Sequence, residues 1–142
     1  MITIRTIYLG NLRTEATHLA SGNALLTDAP IDNNGRGEAF SPTDLTCASL
    51  GSCMMTIMGI VAARDGVDLE GTQIEITKTM AANPRRIGRI EVHFTLASQV
   101  VLDQTQKEKL QRAALTCPVA LSLHPDIEQE VHFDWKAVLR EK

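Results

Sequence analysis

Two cysteines stand out in this sequence because each lies in an apolar segment with the pattern of a helix. Cys53 follows Gly51-Ser52 in the middle of an uncharged stretch, and Cys117 directly precedes Pro118. Because proline readily opens a helix, Cys117 is expected near free backbone N–H groups, which favour a thiolate. A thiolate reduces a peroxide by becoming a sulfenic acid, and a second thiol can then close a disulfide. The residue types therefore indicate thiol redox chemistry, on condition that the two sulfur atoms meet in the fold.

The remaining cysteine and the four histidines are weaker candidates for chemistry than Cys53 and Cys117. Cys47 precedes Cys53 by six positions, about 240° around a helix, so it is predicted to pack in the core. The chain has no C-x-x-C motif, and its three cysteines and four histidines lack the spacing of a zinc site. No metal or organic cofactor is expected. The four histidines are predicted to be structural or solvated, and they are His18, His93, His124 and His132.

The composition indicates one globular domain covering residues 1–142, since domains commonly contain about 100–150 residues. A net charge of −3 gives no general attraction to nucleic acid. Arg85, Arg86 and Arg89 follow an Asn-Pro pair and are interpreted as a solvated hairpin turn, with an anion site as the alternative. The N-terminal residues lack the features of a secretory signal, so a cytoplasmic protein is expected.

Hydrophobic periodicity predicts an α+β fold. Residues 2–27 have the pattern of a small antiparallel β-meander, and residues 28–40 form a polar, glycine-containing loop that holds Arg36. A long apolar helix follows in the centre of the chain. After it we predict a β-hairpin, a pair of helices between residues 103 and 123, and a terminal strand.

The central helix has the clearest signals. Ser41 can cap it, Pro42 suits its first position, Asp44 completes a capping box, and the helix is predicted to end near Asp65-Gly66. The nineteen residues 45–63 carry no charge, a length that raises the question of a membrane span. That reading is rejected, because serine, threonine and glycine dilute the hydrophobicity. A helix that is apolar on all sides is expected to be buried all round, and a small domain needs a partner subunit for this.

Three segments carry a family resemblance when taken together. They are Ser41-Pro42-Thr43-Asp44-Leu45, Ala48-Ser49-Leu50-Gly51-Ser52-Cys53 and Thr116-Cys117-Pro118-Val119-Ala120. With them the chain resembles the OsmC/Ohr family of cysteine-based peroxidases, in particular its OsmC-like subgroup, over essentially its whole length. The resemblance implies an intertwined homodimer with the long central helices back to back and two active sites at the subunit interface.

The resemblance also implies roles for individual residues. Cys53 matches the peroxidatic cysteine of the family, and Cys117 matches the resolving one. Family members use an arginine to stabilise the thiolate. The OsmC-like pattern places it in the loop before the central helix, where Arg36 lies and is preferred, whereas the Ohr-like pattern places it in the N-terminal strands, where Arg13 is the nearest candidate.

The implied reaction is the reduction of an organic hydroperoxide to an alcohol, followed by a Cys53–Cys117 disulfide that a dithiol reductant reopens. Met54 and Ile57 are expected to line an apolar substrate pocket. Neither nucleic acid nor a membrane is an expected partner.

One position departs from the family pattern. The family typically has a glutamate after the proline of the helix start, which holds the arginine, whereas this chain has Thr43 there, with Asp44 as the neighbouring carboxylate. Two functions therefore stay open. One is a hydroperoxide-reducing enzyme, and the other is a non-catalytic redox-sensing or small-molecule-binding dimer with weak or no turnover.

Overall fold

The computed structural model of the chain describes residues 1–135. It combines α-helices with two three-stranded sheets, which confirms the predicted α+β class. By its internal contacts the chain divides into two units, Met1–Thr46 and Cys47–Lys142. The single domain expected over residues 1–142 and the intertwined homodimer stay predictions.

The Met1–Thr46 unit contains the predicted meander, with strands in the order β1-β2-β3 and antiparallel pairing throughout. The strands are β1 (Ile4–Gly10), β2 (Arg13–His18) and β3 (Ala24–Asp28). A long loop follows β3 and contains one short 3-10 turn at Ile31–Asn33. Phe40 then returns beside Thr27 in a parallel bridge, so the end of the loop lies against β3.

The central helix α1 spans Pro42–Arg64. The predicted capping box is formed, because the Ser41 N–H donates to Oδ2 of Asp44 and the Asp44 N–H donates to Oγ of Ser41, both at 3.0 Å. The helix stops where expected. Gly66 has a positive φ of 72°, which glycine adopts easily, and the N–H of Val67 closes the last turn on the carbonyl of Ala62 at 2.9 Å.

The Cys47–Lys142 unit holds the second sheet, in the order β4-β5-β6. Its strands are β4 (Gln73–Ala81), β5 (Arg86–Thr95) and β6 (Glu128–Asp134). The first two form the predicted hairpin, whereas β6 lies parallel to β5. Parallel neighbours need a crossover connection, and α2 (Gln104–Leu115) and α3 (Pro118–Ser122) supply it. The crossover delivers Cys117, between the two helices, to the core of this unit.

One stripe of α1 packs against this sheet, and Leu50, Met54 and Met58 on it are at most 1% exposed. Gly51 permits the close approach, since a Cβ there would lie 2.6 Å from Cδ1 of Ile76. By length and composition alone, α1 is also apolar enough to cross a membrane. Within this chain the side of the helix opposite the stripe is exposed, with Ile60 at 48%. Burial of that side by a partner subunit stays a prediction.

Candidate active site

Cys53 lies in the middle of α1, at the edge of the buried stripe. It follows the exposed Ser52 and precedes the fully buried Met54, and its own side chain is partly buried against the core. A cysteine in this position is held by a rigid helix while part of it faces away from the core. Cys53 is therefore the thiol of the two that a molecule from solvent can reach.

Cys117 lies directly before α3 and is 0% exposed. Its backbone is extended, with φ −67° and ψ 154°, as a residue before proline prefers. In this conformation it caps α3, and its Sγ accepts a hydrogen bond from the N–H of Ala120 at 3.4 Å. Pro118 thus fixes both the start of the helix and the direction of the Cys117 side chain.

The two thiols lie near enough to each other for Cys53 to influence the pKa of Cys117. Burial raises the pKa of the Cys117 thiol above its ordinary value of 9.0, and a hydrogen bond with Cys53 and the charge of Cys53 raise it as well. The N–H groups of Ala120 and Val119 lower this pKa but do not offset burial. The expectation that Cys117 favours a thiolate was therefore wrong: the helix start is present, but desolvation outweighs it. Cys117 is a buried proton-bearing thiol beside Cys53.

Cys47 takes no part in this pair. Its side chain is 3% exposed and belongs to the hydrophobic core, which confirms the prediction that it packs. None of the three cysteines forms a disulfide in the structure. A pair of neighbouring thiols, one accessible and one buried, can be oxidised to a disulfide, whereas Cys47 lies within the hydrophobic core.

The arginine candidates and Asp44 belong to the Met1–Thr46 unit. Arg13 lies in β2 with 27% of its side chain exposed, and its Nη1 pairs with Oε1 of Glu38 at 3.1 Å. Arg36 is exposed in the loop after β3. The carboxylate of Asp44 holds the N–H of Ser41 in the helix cap. Their roles toward Cys53 stay predictions.

The pocket residues expected from the sequence lie on α1. Met54 is 0% exposed, as part of the core, and Ile57 is half-buried against it. A cleft of about 410 Å³ opens beside α1 on another face of the helix, where Met55, Gly59 and Ala63 contribute to its wall. A substrate pocket lined by Met54 and Ile57 stays a prediction.

The family model for OsmC-like proteins matches residues 35–132, which include both cysteines and most of the chain. The chain belongs to the OsmC/Ohr family. No protein of curated function matches it.

Solved structures agree with this assignment. A Psychrobacter arcticus protein, provisionally described as an osmotic stress induced and detoxification response protein, is 50% identical with a TM-score of 0.89, covering 94% of this chain and 96% of its own. An organic hydroperoxide resistance protein of Legionella pneumophila shares the fold, with 18% identity, a TM-score of 0.72 and coverage of 94% and 98%. A Vibrio cholerae protein, provisionally described as an organic hydroperoxide resistance protein and holding captopril in one active site, has 16% identity and a TM-score of 0.70. The match covers 94% of this chain and 92% of the other.

The other polar groups considered in this OsmC-like chain have local partners. His132 lies 3.1 Å from the Glu130 carboxylate, and the neighbouring Arg89 reaches Glu130 at 3.2 Å. Arg86 pairs with Asp126 at 3.8 Å. These contacts favour the interpretation of the basic cluster as a solvated hairpin rather than an anion site. Within residues 1–135, no three His, Cys, Asp or Glu side chains are grouped so that they could hold a metal ion.

One residue that sequence reasoning missed is Asp28. It ends β3, is 1% exposed, and its Oδ1 has no hydrogen-bond partner within the described residues. The sequence shows only a carboxylate where an apolar strand becomes a polar loop, which normally indicates an exposed residue. The available signal was the meander itself, because its register pairs Asp28 with Arg13.

Proposed function

We propose that this OsmC-like protein is a thiol-dependent peroxidase that reduces organic hydroperoxides to alcohols. The observation that carries the proposal is the proximity of a partly buried thiol, Cys53, to a fully buried one, Cys117. Such a pair suits a two-step oxidation, because Cys53 can react with the substrate and Cys117 is then near enough to form a disulfide with it. The family includes proteins described as organic hydroperoxide resistance proteins, which supports a redox role of this kind.

In the first step the Cys53 thiolate attacks the terminal peroxide oxygen. An S–O bond forms, the O–O bond breaks, and the alkoxide leaves as the alcohol after taking up a proton. Sulfur loses two electrons and becomes a sulfenic acid, while the peroxide is reduced by the same two electrons. Cys117 is not expected to act first, since its thiol is buried and its pKa is raised.

In the second step Cys117 loses its proton and attacks the sulfenic sulfur of Cys53. An S–S bond forms, the S–O bond breaks, and hydroxide leaves as water with the proton that Cys117 released. The proximity of the two thiols in the reduced protein supports this step, because a disulfide forms only between cysteines that lie close together. A dithiol reductant then returns both cysteines to thiols by exchange.

A guanidinium is proposed to stabilise the Cys53 thiolate and the charge that develops on the departing oxygen. Arg36 and Arg13 are the two candidates for this role, and they differ in how firmly each is held. Arg13 is held by an ion pair and is 27% exposed, whereas Arg36 is exposed in a loop. A partly desolvated, positioned charge acts more strongly on a thiolate than a solvated one.

A homodimer in the cytoplasm is part of the proposal. The Met1–Thr46 unit exposes large apolar side chains along β1, including Ile7 at 56% and Tyr8 at 63%. Many exposed large apolar side chains in one unit suggest an interaction surface. Ile60, on the exposed side of α1, is a further apolar side chain that a second copy would bury.

The test is a thiol count on the reduced protein. One equivalent of cumene hydroperoxide should remove two of the three thiols of the wild type. Cys53→Ser should consume no peroxide. Cys117→Ser should consume one equivalent and leave a sulfenic acid that dimedone traps, whereas Cys47→Ser, the matched control, should behave like the wild type. A wild type that keeps all three thiols would refute the peroxidase function.

One specific observation favours a second candidate, a redox-sensing or small-molecule-binding dimer without efficient turnover. Thr43 replaces the family carboxylate, and the neighbouring Asp44 is engaged in the helix cap. Without the family carboxylate at the helix start, an arginine would activate Cys53 poorly. Stoichiometric loss of two thiols, with no further peroxide consumed when a dithiol is supplied, would favour this candidate over the enzyme.

A further inference from the structure

A side chain of the second sheet holds the short helix that follows Cys117. Nε2 of Gln129, in β6, donates a hydrogen bond to the carbonyl of Ala120, in α3, at 3.0 Å. A carbonyl can only accept, so the bond depends on the amide donor that glutamine carries. Gln129 therefore links the sheet to the segment that contains the buried thiol.

The register of the sheet directs the Gln129 side chain toward the core. Gln129 lies opposite Ile90, which is 0% exposed. Alternation along β6 puts Val131 and Phe133 on the same face, and both pack against the hydrophobic core. A half-buried amide on this face is unfavourable unless it is hydrogen-bonded, and the bond to Ala120 supplies a partner.

Ala120 connects this bond to the thiol of Cys117. Its N–H donates to Sγ of Cys117 at 3.4 Å, while its carbonyl accepts from Gln129. The N–H groups of Ala120 and Val119 lower the pKa of Cys117, against the larger effect of burial. These N–H groups therefore stabilise the Cys117 thiolate when it forms in its buried position.

The shortness of α3 makes an anchor outside the helix necessary. The helix has five residues, Pro118–Ser122. A helix of this length is not stable by itself, because its first turn is costly to form and few bonds follow it. The position of the Ala120 N–H at Cys117 therefore depends on contacts with the rest of the unit, and the Gln129 bond is a directional contact of this kind.

We propose that Gln129 is a positioning residue for the resolving step, the attack of Cys117 on the Cys53 sulfenic acid. By holding the Ala120 carbonyl, it keeps the Ala120 N–H at Sγ of Cys117 while that sulfur gives up its proton. The S–S bond then forms, the S–O bond breaks, and hydroxide leaves as water with that proton. The inference rests on the proposed function, in which Cys117 resolves the oxidised Cys53.

The test separates the resolving step from the attack on peroxide. Gln129→Met removes the donor and keeps a similar length, and Gln129→Glu stays polar but has no donor when ionised. Both variants should consume one equivalent of cumene hydroperoxide as fast as the wild type. With dimedone present at a fixed concentration, the ratio of dimedone adduct to Cys53–Cys117 disulfide should rise about 10-fold, because disulfide formation is slower. Mass spectrometry measures this ratio.

Gln99→Met is the matched control. Nε2 of Gln99 donates to the Glu70 carbonyl at 2.7 Å, which is the same kind of bond at an exposed position of the same unit. The ratio should stay at its wild-type value in Gln99→Met. An equal rise in Gln99→Met, or an unchanged ratio in the Gln129 variants, would overturn the proposal. Should one Gln129 variant fail to fold, the other carries the test, because the two differ in polarity and share the lost donor.

A second readout does not depend on peroxide. In a Cys47→Ser, Cys53→Ser background, the ultraviolet absorbance of the thiolate follows the titration of Cys117 alone. Adding Gln129→Met should raise the midpoint by up to about one pH unit, which corresponds to a 10-fold smaller thiolate population. If the wild type consumes no peroxide but the midpoint rises, the proposed function fails while Gln129 still positions the N–H at Cys117. If peroxide is consumed but neither the ratio nor the midpoint changes, the role of Gln129 fails and the peroxidase stands.

Discussion

The two units of this chain bury different kinds of side chain. Among residues 1–135, every buried hydrophobic side chain lies after Thr46, whereas the buried residues before it are polar, namely Thr27, Asp28 and Ser41. Conversely, twelve of the sixteen exposed large hydrophobic side chains lie before Thr46. The Cys47–Lys142 unit therefore has a core of its own, and the Met1–Thr46 unit keeps its apolar side chains at its surface.

This difference bears on the thiol chemistry proposed above. A thiol pair must hold its geometry closely, and a close-packed core gives the rigidity that this requires. Cys53 and Cys117 both contact that core. The meander instead presents charge and apolar surface, which suits it to supply an arginine and to meet a second copy, as proposed above. If a second copy does cover the meander, the apolar side chains of the first unit are buried when the dimer forms, whereas those of the second unit are buried when the chain folds.

The largest expected effect tests the core of the second unit. Phe94 is 2% exposed and stacks on Phe133 with ring centroids 5.2 Å apart. Phe94→Ala should lower the free energy of unfolding by about 3–5 kcal/mol, through lost burial and the cavity left behind. Ile31→Ala, at a side chain 78% exposed in the first unit, should cost less than about 0.5 kcal/mol. Urea unfolding followed by circular dichroism measures both, and similar losses would remove the distinction between the units.

The next effect concerns the surface of the meander. Leu25, in β3, is 45% exposed. If a second copy covers it, Leu25→Asp should weaken dimerisation by about 2 kcal/mol or more, because a charge would be buried without a partner. Val101→Asp, at a 79% exposed site of the other unit, should leave the dimer intact. Sedimentation over a range of concentrations decides the matter, and an unchanged dissociation constant for Leu25→Asp would show that this face is not the interface.

Much of the fold could be predicted because its signals are local. The capping box at Ser41 and Asp44, the positive-φ glycine at Gly66 and the alternation along the hairpin each act within a few residues, and the structure contains all of them. The parallel pairing of β6 with β5 was not predicted. It depends on contacts between residues far apart in sequence, such as Val92 and Val131, which periodicity cannot report.

The site was predictable in part for the same reason. The residue types and the segments around Cys53 and Cys117 indicated a thiol pair, but not the degree to which each is buried. Burial is the reason that Cys117 keeps its proton instead of forming the expected thiolate. The surrounding core raises the pKa of Cys117 by desolvation, whereas only the N–H groups of the next turn lower it. Asp28 escaped notice because burial of a carboxylate is a tertiary property.

The buried Cys117 thiol should make the free energy of unfolding depend on pH in the alkaline range. Folding raises the pKa of Cys117 above 9.0, so at pH values above this the folded protein keeps a proton that the unfolded chain has lost. The free energy of unfolding should therefore fall as the pH rises past 9.0, by up to about 1.4 kcal/mol per pH unit. Urea titrations of the reduced protein on both sides of that pH should show a smaller loss for Cys117→Ala.

Cys53→Ala serves as the control for this measurement. It removes the hydrogen bond and the charge next to Cys117 but leaves burial, which is the largest cause of the shift. Most of the pH dependence should therefore persist in Cys53→Ala. Parallel pH curves for the wild type and Cys117→Ala would mean that Cys117 has its ordinary pKa in the folded protein.

The smallest expected effect compares the helix starts of the two units. Ser41 caps α1 and is 1% exposed, whereas Asp103 caps α2 at an exposed position through a capping box with Gln106. Ser41→Ala should cost about 1–2 kcal/mol and Asp103→Ala about 0.5–1 kcal/mol, because water can replace a lost bond only at the exposed cap. Asp103→Asn, which keeps an acceptor, should be nearly neutral. Equal costs for the two alanine variants, measured by urea unfolding, would mean that the buried polar residues of the first unit are as accessible to water as those on the surface of the second.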